Sequence, residues 1–161
     1  MKKHGKFVDE EELVNILPEL RKFVDEEKLF AIDLGDGIFE VDVMGDVDLS
    51  FLELTSLREI PIRIIRGVVR NFWCSFNNLT SLEGAPEIVG GDFVCSFNNL
   101  TSLEGAPKHV GKDFSCSCNK LITLKGAPKE VGGNFYCNDN SKRFTEEEVR
   151  KLVNVKGIVI V

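Results

Sequence analysis

Five cysteines, two histidines and a short arginine-rich stretch are the residues of this 161-residue chain whose types carry ready chemistry. Cys74, Cys95, Cys116 and Cys137 recur every 21 residues, and Cys118 stands two beyond Cys116. Clustered thiolates bind soft metals, but structural zinc sets use CxxC pairs or add histidine. The only close pair here is CxC, and neither His4 nor His109 completes a set. The spacing predicts a column of small buried side chains instead, with no metal and no cofactor. Cys118 takes the slot that Phe51, Phe76 and Phe97 fill in the other copies, which marks it as the thiol open to solvent. Equivalent positions to His109 are Ile88 and Glu130, so a Ser/His/Asp or Cys/His arrangement is poorly supported. No phosphate-binding glycine motif occurs, and the glycines fall at repeat spacing. Nothing in the sequence predicts an enzyme.

Oxygen and cation chemistry fare little better. Asp46, Asn71, Asp92, Asp113 and Asn134 form a column of potential calcium ligands. One side chain per copy supplies too few converging oxygens, so turn capping or solubility is the expected role. Arg63, Arg66 and Arg70, within REIPIRIIRGVVR (58–70), offer a basic edge for a phosphate, a nucleic acid or an acidic partner, unless they are simply solvated. A net charge of −6 argues against a general nucleic-acid binder.

The elements that position these residues come from a repeat. NFWCSFNNLTSLEGAPEIVGG (71–91), DFVCSFNNLTSLEGAPKHVGK (92–112) and DFSCSCNKLITLKGAPKEVGG (113–133) are tandem copies, and NFYCNDN (134–140) starts another. DVDLSFLELTSLREIP (46–61) is a degenerate first copy, offset by 25. Alternation in Phe-x-Cys points Phe93 and Cys95 inward and Asp92, Val94 and Ser96 outward. The Gly-Ala-Pro return disfavours a long helix. Stacked copies pair their short strands in parallel about 4.8 Å apart. Asn77, Asn98, Asn119 and Asn140 fall where each strand ends, and are expected to satisfy backbone groups inside the turn.

The pattern F-x-C-x-x-N-x-L-x-x-L resembles the leucine-rich repeat signature, with Phe and Cys in place of leucines. Its length is similar to the short repeats of secreted bacterial effectors, and its wording to repeats in tailed-bacteriophage proteins. The resemblance covers residues 46–140. It implies an α+β, leucine-rich-repeat-like solenoid that binds proteins on its strand face, and, in the phage case, a factor in the host cytoplasm that binds or inhibits a host protein.

Three regions follow. Residues 1–45 read as an acidic N-terminal cap: 12 acids against 6 basic residues carry the whole net charge, since 46–161 hold 14 of each. Asp9 and Glu12 suggest a capping box before a helix at Leu13–Val24, interrupted by Pro18, and strands are expected at Leu29–Leu34 and Ile38–Met44 around the Gly35–Gly37 turn. Residues 46–140 form the solenoid. Residues 141–161 read as a C-terminal cap, with Thr145 and Glu148 opening a helix and Ile158–Val161 a closing strand. The odd cysteine count and the absence of an apolar leader or span predict a reducing cytoplasm.

Positions that the repeat leaves free define the expected surface. One outward column reads Asp48, Trp73, Val94, Ser115, Tyr136, beside the Asp/Asn column containing Asn71, Asp92 and Asp113. The only Trp and the only Tyr share it, and aromatics on a rigid sheet make good interface anchors. A third column, Ser50, Ser75, Ser96, Ser117 and Asn138, is expected to face solvent, and Phe51, Phe76 and Phe97 to be semi-buried packing. The expected function is non-enzymatic binding of another protein. A self-assembling structural protein is the alternative, favoured by an uncovered terminal strand or an exposed Phe column.

Overall fold

In a computed structural model, the chain winds as a parallel-strand β-solenoid of about five turns. The structure describes residues 45–60 and 70–161 in full, and the backbone of the strands Lys6–Val8, Leu29–Asp33, Phe39–Val43 and Ile62–Val68.

Each coil contributes two residues to a front sheet, because Phe-x-Cys alternates only that far before the chain turns. Its strands run Val47–Asp48, Phe72–Trp73, Phe93–Val94, Phe114–Ser115, Phe135–Tyr136 and Val159–Ile160, all parallel and in register. The return legs, expected only to be extended or turned, form a second parallel ladder from Ile88–Val89, His109–Val110, Glu130–Val131 and Asn154–Val155. The arginine-bearing segment Ile62–Val68 joins it as a seven-residue strand. Phe39–Val43 pairs with that strand in parallel, and Leu29–Asp33 and Lys6–Val8 follow antiparallel. The two N-terminal strands read from sequence are therefore present. The expected helix at 13–24, the Asp9 capping box and the Gly35–Gly37 turn lie outside the described residues.

Between the sheets lie columns of identical side chains. Phe72, Phe93, Phe114 and Phe135 are at most 1% exposed and stack with ring centroids 5.0–5.6 Å apart. Leu79, Leu100 and Leu121 form a second column, Leu82, Leu103 and Leu124 a third, and Val89, Val110 and Val131 line the return side. Stacking the coils is what removes this apolar surface from water, since no coil has a core of its own.

At the C-terminal end, Glu146–Leu152 is helical, the only α-helix among the described residues. Thr145 and Glu148 form the expected capping box, and Val149 and Val153 close the core. The chain then adds one strand to each sheet, ending on Val159–Ile160 beside Phe135–Tyr136. No helix among the described residues is long and apolar enough to cross a membrane.

Candidate functional site on the front sheet

The front ladder brings Asp48, Trp73, Val94, Ser115 and Tyr136 into one column, in the register read from the sequence. Ile160 continues it, a member the repeat could not reveal because it comes from the cap. Asp48 is exposed; the other four of the predicted column are partly buried rather than fully open. Trp73 and Tyr136 lie three coils apart, or about 14 Å at strand spacing. The Tyr136 hydroxyl accepts a hydrogen bond from Asn134 Nδ2 at 3.1 Å and donates to Asp113 Oδ2 at 3.4 Å. That ring is held against the face before anything binds.

The neighbouring column is more occupied than a free binding surface. Asn71 Oδ1 accepts the Asp92 N–H at 2.8 Å, Asp92 Oδ1 the Asp113 N–H at 3.0 Å, and Asp113 Oδ1 the Asn134 N–H at 2.7 Å. Asp46 and Asn134 start and finish the ladder on the Asn71 and Ile158 amides. One oxygen of each side chain thus ties a coil to the next, which is the turn-capping role expected, and the second oxygen of Asp113 is taken by Tyr136 Oη at 3.4 Å and Asn134 Nδ2 at 3.5 Å. Among the described residues no group of three or more His, Cys, Asp or Glu side chains is placed to hold a metal ion.

Inside the strand end sits the asparagine ladder. Asn98 Nδ2 donates to the carbonyls of Cys74 at 3.0 Å and Cys95 at 3.2 Å, while its Oδ1 accepts the Leu79 N–H at 2.9 Å. Asn77, Asn119 and Asn140 repeat the pattern. These amides satisfy backbone groups that the turn would otherwise bury unpaired.

Two expectations are corrected at the corner that follows. The serines do not face solvent: Ser75, Ser96 and Ser117 are 7%, 6% and 8% exposed. Alternation stops after the two-residue strand, so these side chains fold into the corner, with Ser96 Oγ 2.8 Å from Ser115 Oγ and Ser117 Oγ donating to Asn138 Oδ1 at 2.7 Å. The phenylalanines one residue on are not packing: Phe51, Phe76 and Phe97 are 70%, 45% and 48% exposed. Each has left-handed backbone, with φ of 61°, 55° and 56°, as do Cys118 and Asp139 in the same slot. In the coils from Phe76 on, that turn swings the following Asn inward to its ladder, and it leaves Phe51, Phe76 and Phe97 outward. The corner is fixed from both sides, since the Phe76 N–H donates to the Ser96 carbonyl at 3.1 Å and Asn77 Nδ2 to the Ser75 carbonyl at 3.2 Å. The exposed rings stack on one another, centroids 4.4–4.5 Å apart and within 8° of parallel. No one-dimensional pattern distinguishes this slot from an edge of the core; only the bulky residue before each invariant-looking Asn hinted at a turn.

The thiols behave as the repeat spacing predicts. Cys74, Cys95 and Cys116 are fully buried, and burial pushes their thiols well above the ordinary range. Burial pushes Cys137 up to about 11. All five cysteines are free. Cys118 is only partly buried, yet desolvation and then the Asp139 carboxylate raise its thiol too, so it is reachable but not activated. Of the arginine edge, Arg70 is exposed, while the side chains of Arg63 and Arg66 lie outside the described residues. His109 lies on the exposed side of the return sheet, 3.8 Å from Glu130.

No protein-family model matches the chain, and neither a curated protein nor a solved structure is similar to it.

Proposed function

We propose that this solenoid is a non-enzymatic protein-interaction module that binds another protein through its front sheet, with Trp73 and Tyr136 as anchors. The observation that carries this reading is the Asp48–Trp73–Val94–Ser115–Tyr136 column, an in-register row of varied side chains that holds the only Trp and the only Tyr of the chain. Variation at one outward column of a rigid repeat is what a surface fitted to a particular partner requires, and the partly buried aromatics give it large contact area at low entropic cost. Asp92, Asp113 and Asn71 border the column; Asp92 and Asn71 contribute polar contacts through the atoms their ladder leaves free, and Asp113 through the carboxylate oxygen that also holds the Tyr136 hydroxyl. The leucine-rich-repeat likeness, the phage origin, the host-cytoplasm setting and inhibition of a host protein belong to the same proposal; the wording of the repeat supports them.

Affinity capture from a lysate of the source cell or its host tests this reading, comparing the wild type with a folded Trp73→Ala, Tyr136→Ala variant. A specific protein retained by the wild type and lost by the variant is expected. Equal retention by both would move the site off the front sheet. A second reading, self-assembly, is favoured by the exposed phenylalanine corner.

A further inference from the structure

The geometry points to a second copy of this chain as the occupant of the Phe51–Phe76–Phe97 corner, docked as an antiparallel two-fold dimer; this goes beyond the partner-binding reading and uses a different surface. Three stacked, exposed rings per chain present about 300 Å² of apolar surface. A left-handed slot suits glycine, asparagine or aspartate, and Asp139 occupies it in the last coil. Three phenylalanines there are unfavourable for the backbone and stay outside the core; stacking on one another covers part of each ring, and the surface that remains is open to a partner.

The column beside the rings selects the occupant. It reads Glu53, Asn78, Asn99, Lys120 along the solenoid, opposite charges at its two ends and amides between. Glu53, Asn78 and Lys120 are exposed, and among the described residues neither charged group has an ion-pair partner. A two-fold axis lying across the corner, between the second and third coils, faces every column with itself in reverse order. Glu53 then meets Lys120 of the second copy, Asn78 meets Asn99, Phe76 meets Phe97 and Phe51 meets Cys118. The Glu53–Lys120 ion pair forms twice because the operation is symmetric. The column is complementary to its own reversal, which is the property an isologous interface needs. With the flanking residues included, two copies bury on the order of 1,000 Å², the lower bound for a specific interface, so the dimer is weak and concentration-dependent. The Trp73–Tyr136 column lies to one side of the corner and remains open.

Sedimentation velocity across roughly 5 to 500 µM tests the proposal, a range that reaches weak association. The expected result is a shift from the 18.0 kDa chain to twice that mass. Phe76→Asn with Phe97→Asn abolishes the shift, and circular dichroism shows the variant folded, because asparagine suits the left-handed slot. Glu53→Lys and Lys120→Glu each place like charges opposite one another at both ends and weaken dimerisation about tenfold, while the double swap restores it. A monomer at every concentration, a dimer indifferent to the asparagine variant, or single swaps not rescued by the double swap would overturn the proposal.

Discussion

A phenylalanine in left-handed backbone costs about 1–2 kcal/mol relative to glycine, and this chain accepts that cost three times in one column. At Phe76 and Phe97 the asparagine that follows holds the corner, and at Phe51, followed by Leu52, the Leu52 N–H donates to Asn77 Oδ1 of the next coil at 3.1 Å. Asn98 spans two coils with one amide, donating to Cys74 and Cys95 and accepting from Leu79, at 7% exposure. Asn98→Ala leaves one N–H and three carbonyls, those of Cys74, Cys95 and Ser96, without that partner in a site closed to water. The expected loss is about 3 kcal/mol, read as a lower urea midpoint at unchanged slope, whereas Asn99→Ala, on the solvent side, changes little. The asparagine ladder and the cysteine column were legible in the sequence, because both are inward positions that recur with the period. The left-handed Phe corner was not, because the physics that sets it is the inward demand of the next residue. The serine column failed for the same reason, as alternation was carried two residues past the end of the strand.

At the scale of the element, each coil is two very short strands joined by turns, and glycine decides whether neighbouring coils can touch. Gly105 has φ of 89°, and a Cβ there would come within 2.3 Å of the Glu83 backbone nitrogen. Gly105→Ala therefore suffers both the left-handed penalty and displacement of the preceding coil, and is expected to cost about 2 kcal/mol or more in chemical unfolding. Ala106 next to it, partly buried with ordinary backbone, is the control position, where Ala106→Gly costs about 1 kcal/mol at most. The sequence announced these turns through Gly-Ala-Pro. The return sheet was hidden: Ile88–Val89 and its equivalents are too short for any alternation signal, and they become strands only because the neighbouring coil presents the same two residues in register. The C-terminal cap was readable because a capping box is local chemistry, with the Glu148 N–H donating to Thr145 Oγ1 at 3.2 Å and Glu148 Oε2 accepting the Thr145 N–H at 2.9 Å.

For the whole molecule, the solenoid separates three surfaces that a compact domain would mix. The front column is varied, the corner is a repeated aromatic stack, and the return face carries salt-bridged charge such as Lys108 with Glu87 and Lys156 with Glu130. The 21-residue period was enough to predict a parallel-strand solenoid but not its return sheet, and assigning the surfaces required knowing where each coil bends. The most direct test of the front sheet as the binding face is site-specific photo-cross-linking in source or host lysate. A photoactivatable residue replaces Val94, at the centre of the front column, in one protein and His109, on the return sheet, in another. The expected result is a discrete cross-linked partner from position 94 and none from position 109. A partner captured from position 109, or from neither, would contradict a front-sheet binding module.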